Sequence, residues 1–135
     1  MSKKLLVKDA MTRSPRTVSI RASIADAKKL MNKLGVRHLP VLEDGQPVGI
    51  ISDRDIKLAA AIYKQRNYAQ EVTVGKVCVF EPYIVTEDTA LEQVLAQLVR
   101  KKIGSALVVK REKLSGILTT VDICRAFGEL LRKAG

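Results

Sequence analysis

Apolar residues recur every three to four positions at Ile24, Ala27, Leu30, Met31 and Leu34, and again at Leu91, Val94, Leu95, Leu98 and Val99. That spacing turns one face of each segment toward a core and predicts two amphipathic helices. A capping box opens each: Ser23-Ile24-Ala25-Asp26 and Thr89-Ala90-Leu91-Glu92 set a hydroxyl three residues before a carboxylate. Gly35 fits the C-terminal cap of the first helix. Behind it the pattern shortens into two apolar runs over 38–42 and 47–52, joined by Glu43-Asp44-Gly45, which predict a hairpin. Runs over 105–109 and 114–119 repeat it. Further helices are predicted just after Ser52 and just after Thr119, the last with a stripe at Ile123, Ala126, Phe127, Leu130 and Leu131. A short extended piece precedes each first helix, around Thr17-Val18 and Ile84-Val85. Each half therefore reads β-α-β-β-α, and residues 64–73 form a polar connector.

The two halves superpose in sequence. Shifted by 67 residues, positions 7–56 align with 74–123 without a gap, and Val7/Val74, Pro15/Pro82, Val18/Val85, Val41/Val108, Gly49-Ile50/Gly116-Ile117 and Asp55-Ile56/Asp122-Ile123 coincide. The identities are few, but they fall where structure or chemistry constrains them. One repetition at this period indicates a duplicated domain rather than a solenoid. The expected boundaries are 1–66 for the first repeat and 67–135 for the second. About 50 residues bury only a marginal core, so the copies are expected to pack on each other.

Composition narrows the partners. Of 135 residues 47% are hydrophobic and 4% aromatic, with no Trp, so the core is aliphatic. No apolar run approaches the roughly 20 residues that span a bilayer, and the start MSKKLLVKDAM is not a signal peptide. The expectation is a cytoplasmic protein without a membrane partner. Cys78 and Cys124 sit in no Cys-x-x-Cys or Cys/His cluster and read as free thiols, and a single His excludes a multi-His metal site. The net charge of +10 favours anionic partners: nucleotide phosphates, nucleic acid or acidic surfaces. It is concentrated in the first half, where 14 Lys/Arg stand against 6 Asp/Glu in residues 1–67, while residues 68–135 carry 10 against 8.

One motif stands twice at the same offset: Gly49-Ile50-Ile51-Ser52-Asp53-Arg54-Asp55 and Gly116-Ile117-Leu118-Thr119-Thr120-Val121-Asp122. Ser52 and Thr119 at a helix start can cap it and present a hydroxyl to a phosphate, beside free N–H groups that attract anions. Three residues on, Asp55 and Asp122 lie on the same helical face, where a carboxylate can accept both hydroxyls of a ribose.

With this motif, the middle strand His38-Leu39-Pro40-Val41 and the opening segment Asp9-Ala10-Met11-Thr12, the chain resembles the CBS domain family over residues 5–132. The resemblance implies an α/β fold of two tandem β-α-β-β-α repeats packed on each other with pseudo-two-fold symmetry. It also implies a regulatory module that binds AMP, ADP or ATP in the cleft between the repeats and signals to an effector protein by conformational change. S-adenosylmethionine or NAD are further candidates, since all share the adenosine; no cofactor and no metal are implied. In the first copy the resemblance places Arg37, His38 and Arg54 at phosphates, Ser52 and Asp55 at the sugar-phosphate, and Thr17, Val18, Val36 and Pro40 around adenine. In the second copy the counterparts are Ile84, Val85, Ile103, Ser105, Leu107, Thr119 and Asp122. That copy departs from the pattern: its opening segment is Lys76-Val77-Cys78-Val79, Ala106-Leu107 replaces Leu39-Pro40, and Gly104-Ser105 replaces Arg37-His38. The first site is therefore expected to hold a phosphate-bearing ligand better.

Family members pair through their helices, so a homodimer is expected, with Ile56, Ala59, Ala60 and Tyr63 as candidates for its interface. No catalytic residues are expected. The chain holds no Ser-His-Asp set, Cys-His pair or Walker loop, and Asp53 and Asp55 at i, i+2 point apart on a helix. The rival reading is a polyanion-binding, nucleic-acid-binding or scaffolding protein with vestigial nucleotide clefts. No block of five like charges occurs to favour it.

Overall fold

A computed structural model describes residues 4–64 and 67–135. In chain order its elements are α1 (Val7–Ala10), β1 (Thr12–Arg13), β2 (Val18–Ser19), α2 (Ile24–Leu34), β3 (His38–Glu43), β4 (Gln46–Ser52) and α3 (Asp53–Ile62). Then follow α4 (Tyr68–Glu71), a 3₁₀ turn (Val74–Lys76), β5 (Val79–Phe80), β6 (Ile84–Thr86), α5 (Leu91–Lys101), β7 (Ser105–Lys110), β8 (Lys113–Thr119) and α6 (Thr120–Ala134). The expected β-α-β-β-α order is present in both halves.

The elements gather into two compact units. One is Arg16–Pro82; the other joins the chain up to Pro15 with Tyr83–Gly135. Each holds a four-stranded sheet, in the orders β2-β3-β4-β5 and β1-β8-β7-β6. In the 16–82 unit β2 runs parallel to β3 with Val18 beside Val41, and β3 pairs antiparallel with β4 with His38 opposite Ser52. The other unit repeats this register at the 67-residue offset, with Val85 beside Val108 and Ser105 opposite Thr119.

The fourth strand of each sheet comes from the other repeat. β5, in the opening segment of the second repeat, pairs Phe80 with Gly49 on β4; β1, in the opening segment of the first, pairs Arg13 with Gly116 on β8. This explains the glycine of the repeated motif. A Cβ on Gly49 would stand 2.8 Å from the Val79 carbonyl oxygen, and one on Gly116 would stand 2.5 Å from the Met11 sulfur and 3.0 Å from the Thr12 carbonyl oxygen. Only a residue without a side chain lets these strands approach so closely.

Helical periodicity and strand alternation feed each core as expected. In the 16–82 unit α2 buries Ile24, Ala27 and Met31 against Leu39, Val41 and Ile51 of the hairpin and Ile56 and Ala59 of α3. In the other, α5 buries Leu91, Val94 and Leu98 against Ala106, Val108 and Leu118, with Val7, Ala10 and Met11 of the opening segment. Each of the larger side chains (Val, Leu, Ile and Met) contributes about 1.5–3 kcal/mol by leaving water, and the alanines less.

Four local expectations are corrected. The second capping box is not made: α5 has Ala90 at its N-cap with no side-chain bond, and the Thr89 hydroxyl turns back to the Thr86 backbone N–H and hydroxyl. Ser23 does cap α2, accepting the Asp26 N–H at 3.0 Å. The connector is no mere polar linker, because Tyr68–Glu71 is helical and Val72 is buried in the core; its residues 65 and 66 lie outside the described residues. On α6 the apolar stripe is largely exposed at Phe127, Leu130 and Leu131. Finally, Ile56 and Ala59, expected at a dimer interface, are core residues at 3% and 2% exposure.

Candidate functional site

The hairpin of the 16–82 unit carries Arg37 and His38 at the start of β3 and Ser52 at the end of β4, and its antiparallel register brings His38 and Ser52 face to face. The chain then turns directly into α3, and the Asp53 N–H donates to the Arg37 carbonyl at 2.9 Å, fixing the helix start against the strand start. Ser52 caps α3, accepting the Asp55 N–H at 3.1 Å. Asp55 closes the box: its Oδ2 accepts the Ser52 N–H at 2.8 Å and the Ser52 hydroxyl at 2.9 Å. The hydroxyl expected to meet a phosphate thus already donates to Asp55. What the box leaves over is the other carboxylate oxygen, Oδ1, which has no hydrogen-bond partner among the described residues.

Around that oxygen the charges are mixed. His38 is half-buried, and burial lowers its pKa; Asp55 opposes this and the Arg37 charge reinforces it. His38 is therefore within electrostatic reach of both. Arg37 and Arg54 are exposed and enter no ion pair among the described residues, while Asp53 pairs with Lys57 at 3.0 Å. Of the expected adenine neighbours, Val36 is 40% exposed, Thr17 half-buried, Val18 nearly buried, and Pro40 fully buried on β3. Cys78 is a neighbour that sequence reasoning did not find. Burial and then the Asp55 charge raise its thiol pKa, so it stays protonated. It reaches this place through the strand exchange, which no local spacing announces.

The counterpart in the other unit has the same scaffold and a different chemistry. Asp122 Oδ2 accepts the Thr119 N–H at 2.8 Å and the Thr119 hydroxyl at 3.1 Å, as Asp55 does with Ser52. Its Oδ1, however, accepts the Thr12 hydroxyl at 2.7 Å and an Arg125 N–H at 3.0 Å, and the residue is 2% exposed. Ser105 is half-buried opposite Thr119, Ile84 and Ile103 are exposed, Val85 is nearly buried, and Leu107 is fully buried. Where Arg37 and His38 stand in the first copy, Gly104 and Ser105 bring no charge.

This doubled hairpin-to-helix site, on a doubled fold, has relatives. The CBS domain family profile matches residues 7–61 and again 74–129. The chain belongs to this family and is a CBS domain pair. Over 125 residues it is 31% identical to L-aspartate semialdehyde sulfurtransferase of Methanocaldococcus jannaschii, covering 91% of this chain but 23% of that protein. The chain thus spans about a quarter of that curated relative. Among solved structures it is similar to the CBS domain pair of protein MJ0100 in complex with 5′-methylthioadenosine and S-adenosyl-L-methionine. That likeness is 30% identity and a TM-score of 0.82, over 94% of this chain and 98% of that one. It is also similar to CBSX2 in complex with AMP, at 30% identity and a TM-score of 0.77, over 93% and 97% of the two chains. Among the described residues no helix is long and apolar enough to cross a membrane, and no group of three or more His, Cys, Asp or Glu could hold a metal ion.

Proposed function

We propose that this CBS pair is a non-catalytic regulatory sensor that binds an adenosine-containing ligand, AMP, ADP or ATP, at the first-copy site. The observation that carries the reading is the unpartnered Oδ1 of Asp55, held at the mouth of α3 by Ser52. A carboxylate oxygen so held is a ready acceptor for the ribose hydroxyls. Arg37 and Arg54 supply guanidinium forks for phosphate oxygens, and His38 adds a ring donor. Val36 and Thr17 offer an apolar and a polar edge to adenine. The adenosine compounds bound by MJ0100 and CBSX2 support the ligand class.

A partner protein reads the resulting change, which the ligand drives only by binding the two states unequally. A homodimer is part of this reading. Exposed apolar residues, Leu58 and Ile62 on α3 and, in the other unit, Phe127 and Leu131 on α6, are the candidates for it, rather than the buried Ile56 and Ala59.

A thermal-shift titration tests the proposal. AMP, ADP or ATP is expected to raise the melting temperature by mass action, and Asp55→Ala to abolish the shift. If duplex DNA stabilises the protein with a steep salt dependence, indifferent to Asp55, while no adenosine compound does, the sensor reading is wrong and the polyanion reading stands.

A further inference from the structure

Asp55 and Asp122 hold equivalent places, and the described contacts of their Oδ2 atoms are the same. Their Oδ1 atoms are not alike. A carboxylate offers about four lone-pair directions, and around Asp122 four donors occupy them: the Thr119 N–H and hydroxyl, the Thr12 hydroxyl and the Arg125 guanidinium. The Thr12 bond, at 2.7 Å, has the length of a charge-assisted O–H···O⁻ bond. At the 67-residue offset Thr12 corresponds to Val79 and Arg125 to Leu58, neither of which can donate a side-chain hydrogen bond. The same acid is thus saturated in one copy and left with an open oxygen in the other.

We infer that Asp122 is a latch and not a ligand residue: it fastens the opening segment to α6, and the chain takes one adenosine-type ligand, at Asp55. Thr12 sits on β1, a strand of two residues, and its hydroxyl closes onto a carboxylate 110 residues later. A ribose reaching Asp122 would have to displace Thr12 and Arg125 from a carboxylate that is 2% exposed, exchanging hydrogen bonds already made for new ones of similar strength. At Asp55 it displaces no described partner. The single-ligand stoichiometry rests on the proposed sensor function; the latch itself does not.

Two measurements test this separately. The first needs no ligand: thermal melts of Thr12→Val, Asp122→Asn and the double variant. Thr12→Val removes one hydroxyl from a buried carboxylate and is expected to lower the melting temperature by about 5 °C. The double variant is expected to melt close to Asp122→Asn alone, because the bond that Thr12→Val removes is one that Asp122→Asn already disrupts. Strict additivity, or no shift for Thr12→Val, overturns the latch. The second is calorimetric titration with AMP, ADP and ATP in turn. One binding event per chain, absent in Asp55→Asn and unchanged in Thr12→Val, is expected. Two events in the wild-type chain, or one surviving in Asp55→Asn, overturns the assignment of Asp122. Absence of any binding refutes the sensor function and leaves the melts to decide the latch.

Discussion

His38 reports on its surroundings through its proton. Burial is the main cause of its lowered pKa, with the Arg37 charge adding to it and Asp55 opposing it. In the unfolded chain the imidazole returns to about 6.5. Between the two values the unfolded state therefore binds the proton and the folded state does not. Stability from this group is complete above about pH 6.5 and is lost as the pH falls through the lower folded value. His38→Gln removes the dependence. Melts of the wild type and His38→Gln between about pH 8 and pH 5 are expected to diverge below about 6.5, the wild type falling faster; parallel curves would show that His38 is not held neutral. At this scale the sequence is legible where partners are close. Ser52 caps α3 as its place at the helix start implies, while Asp55, read there as a ribose acceptor, also turns one oxygen back to Ser52. Thr12 and Cys78 were not legible as neighbours of Asp122 and Asp55, because chain exchange rather than spacing brings them there.

Elements followed periodicity closely, and the missing cap on α5 traces to the two copies being unequal. Ser23 caps α2, but its counterpart at the repeat offset is Ala90, so the hydroxyl nearest α5, Thr89, is one residue too early to cap it. The motif glycines illustrate a different limit: their repetition was plain, but their cause, a backbone crossing at contact distance, is visible only in three dimensions. Gly49→Ala would drive a methyl toward the Val79 carbonyl at 2.8 Å and the Cys78 sulfur at 3.2 Å. It is expected to destabilise by about 2 kcal/mol, the middle of the range for overpacking, and to weaken ligand affinity by shifting Cys78 against Asp55. Denaturant titration and AMP binding of the same variant check both; a variant as stable as wild type would mean β5 is free to move away. The hairpin turns make an opposite case. Asp44 and Gly45 take left-handed angles at φ 50° and 80°, and the second hairpin asks the same of Arg111 and Glu112 at 54° and 66°. A side chain in that region costs about 1–2 kcal/mol. Replacing Arg111-Glu112 by Asn-Gly, the pair that such turns favour, is expected to raise stability by about 1 kcal/mol, read as an increased denaturation midpoint. No increase would mean that side-chain contacts of Arg111 or Glu112 offset the strain.

At the scale of the whole molecule the duplication was readable and its packing was not. Periodicity places the repeats in succession, split near residue 66, because it measures what each stretch looks like and not what it touches. The packing unit is 16–82. Its core takes Val72 and Val74 from beyond that split. Backbone bonds seal the join, from the Ile24 N–H to the Val72 carbonyl, from Val74 to Ala22 and from Gly75 to Ile20. A fragment ending at residue 66 would lose these bonds, both valines and β5, leaving β4 as an open edge with unpaired backbone groups. A fragment of 16–82 keeps them all, and sheds only the opening segment that packs in the other unit. Although some 67 residues make a marginal domain, the 16–82 fragment is expected to unfold cooperatively and to give dispersed amide resonances, and the 1–66 fragment to do neither. Equal behaviour of the two would mean that the opening segments are accessory to the core, and that the repeat visible in the sequence is itself the folding unit.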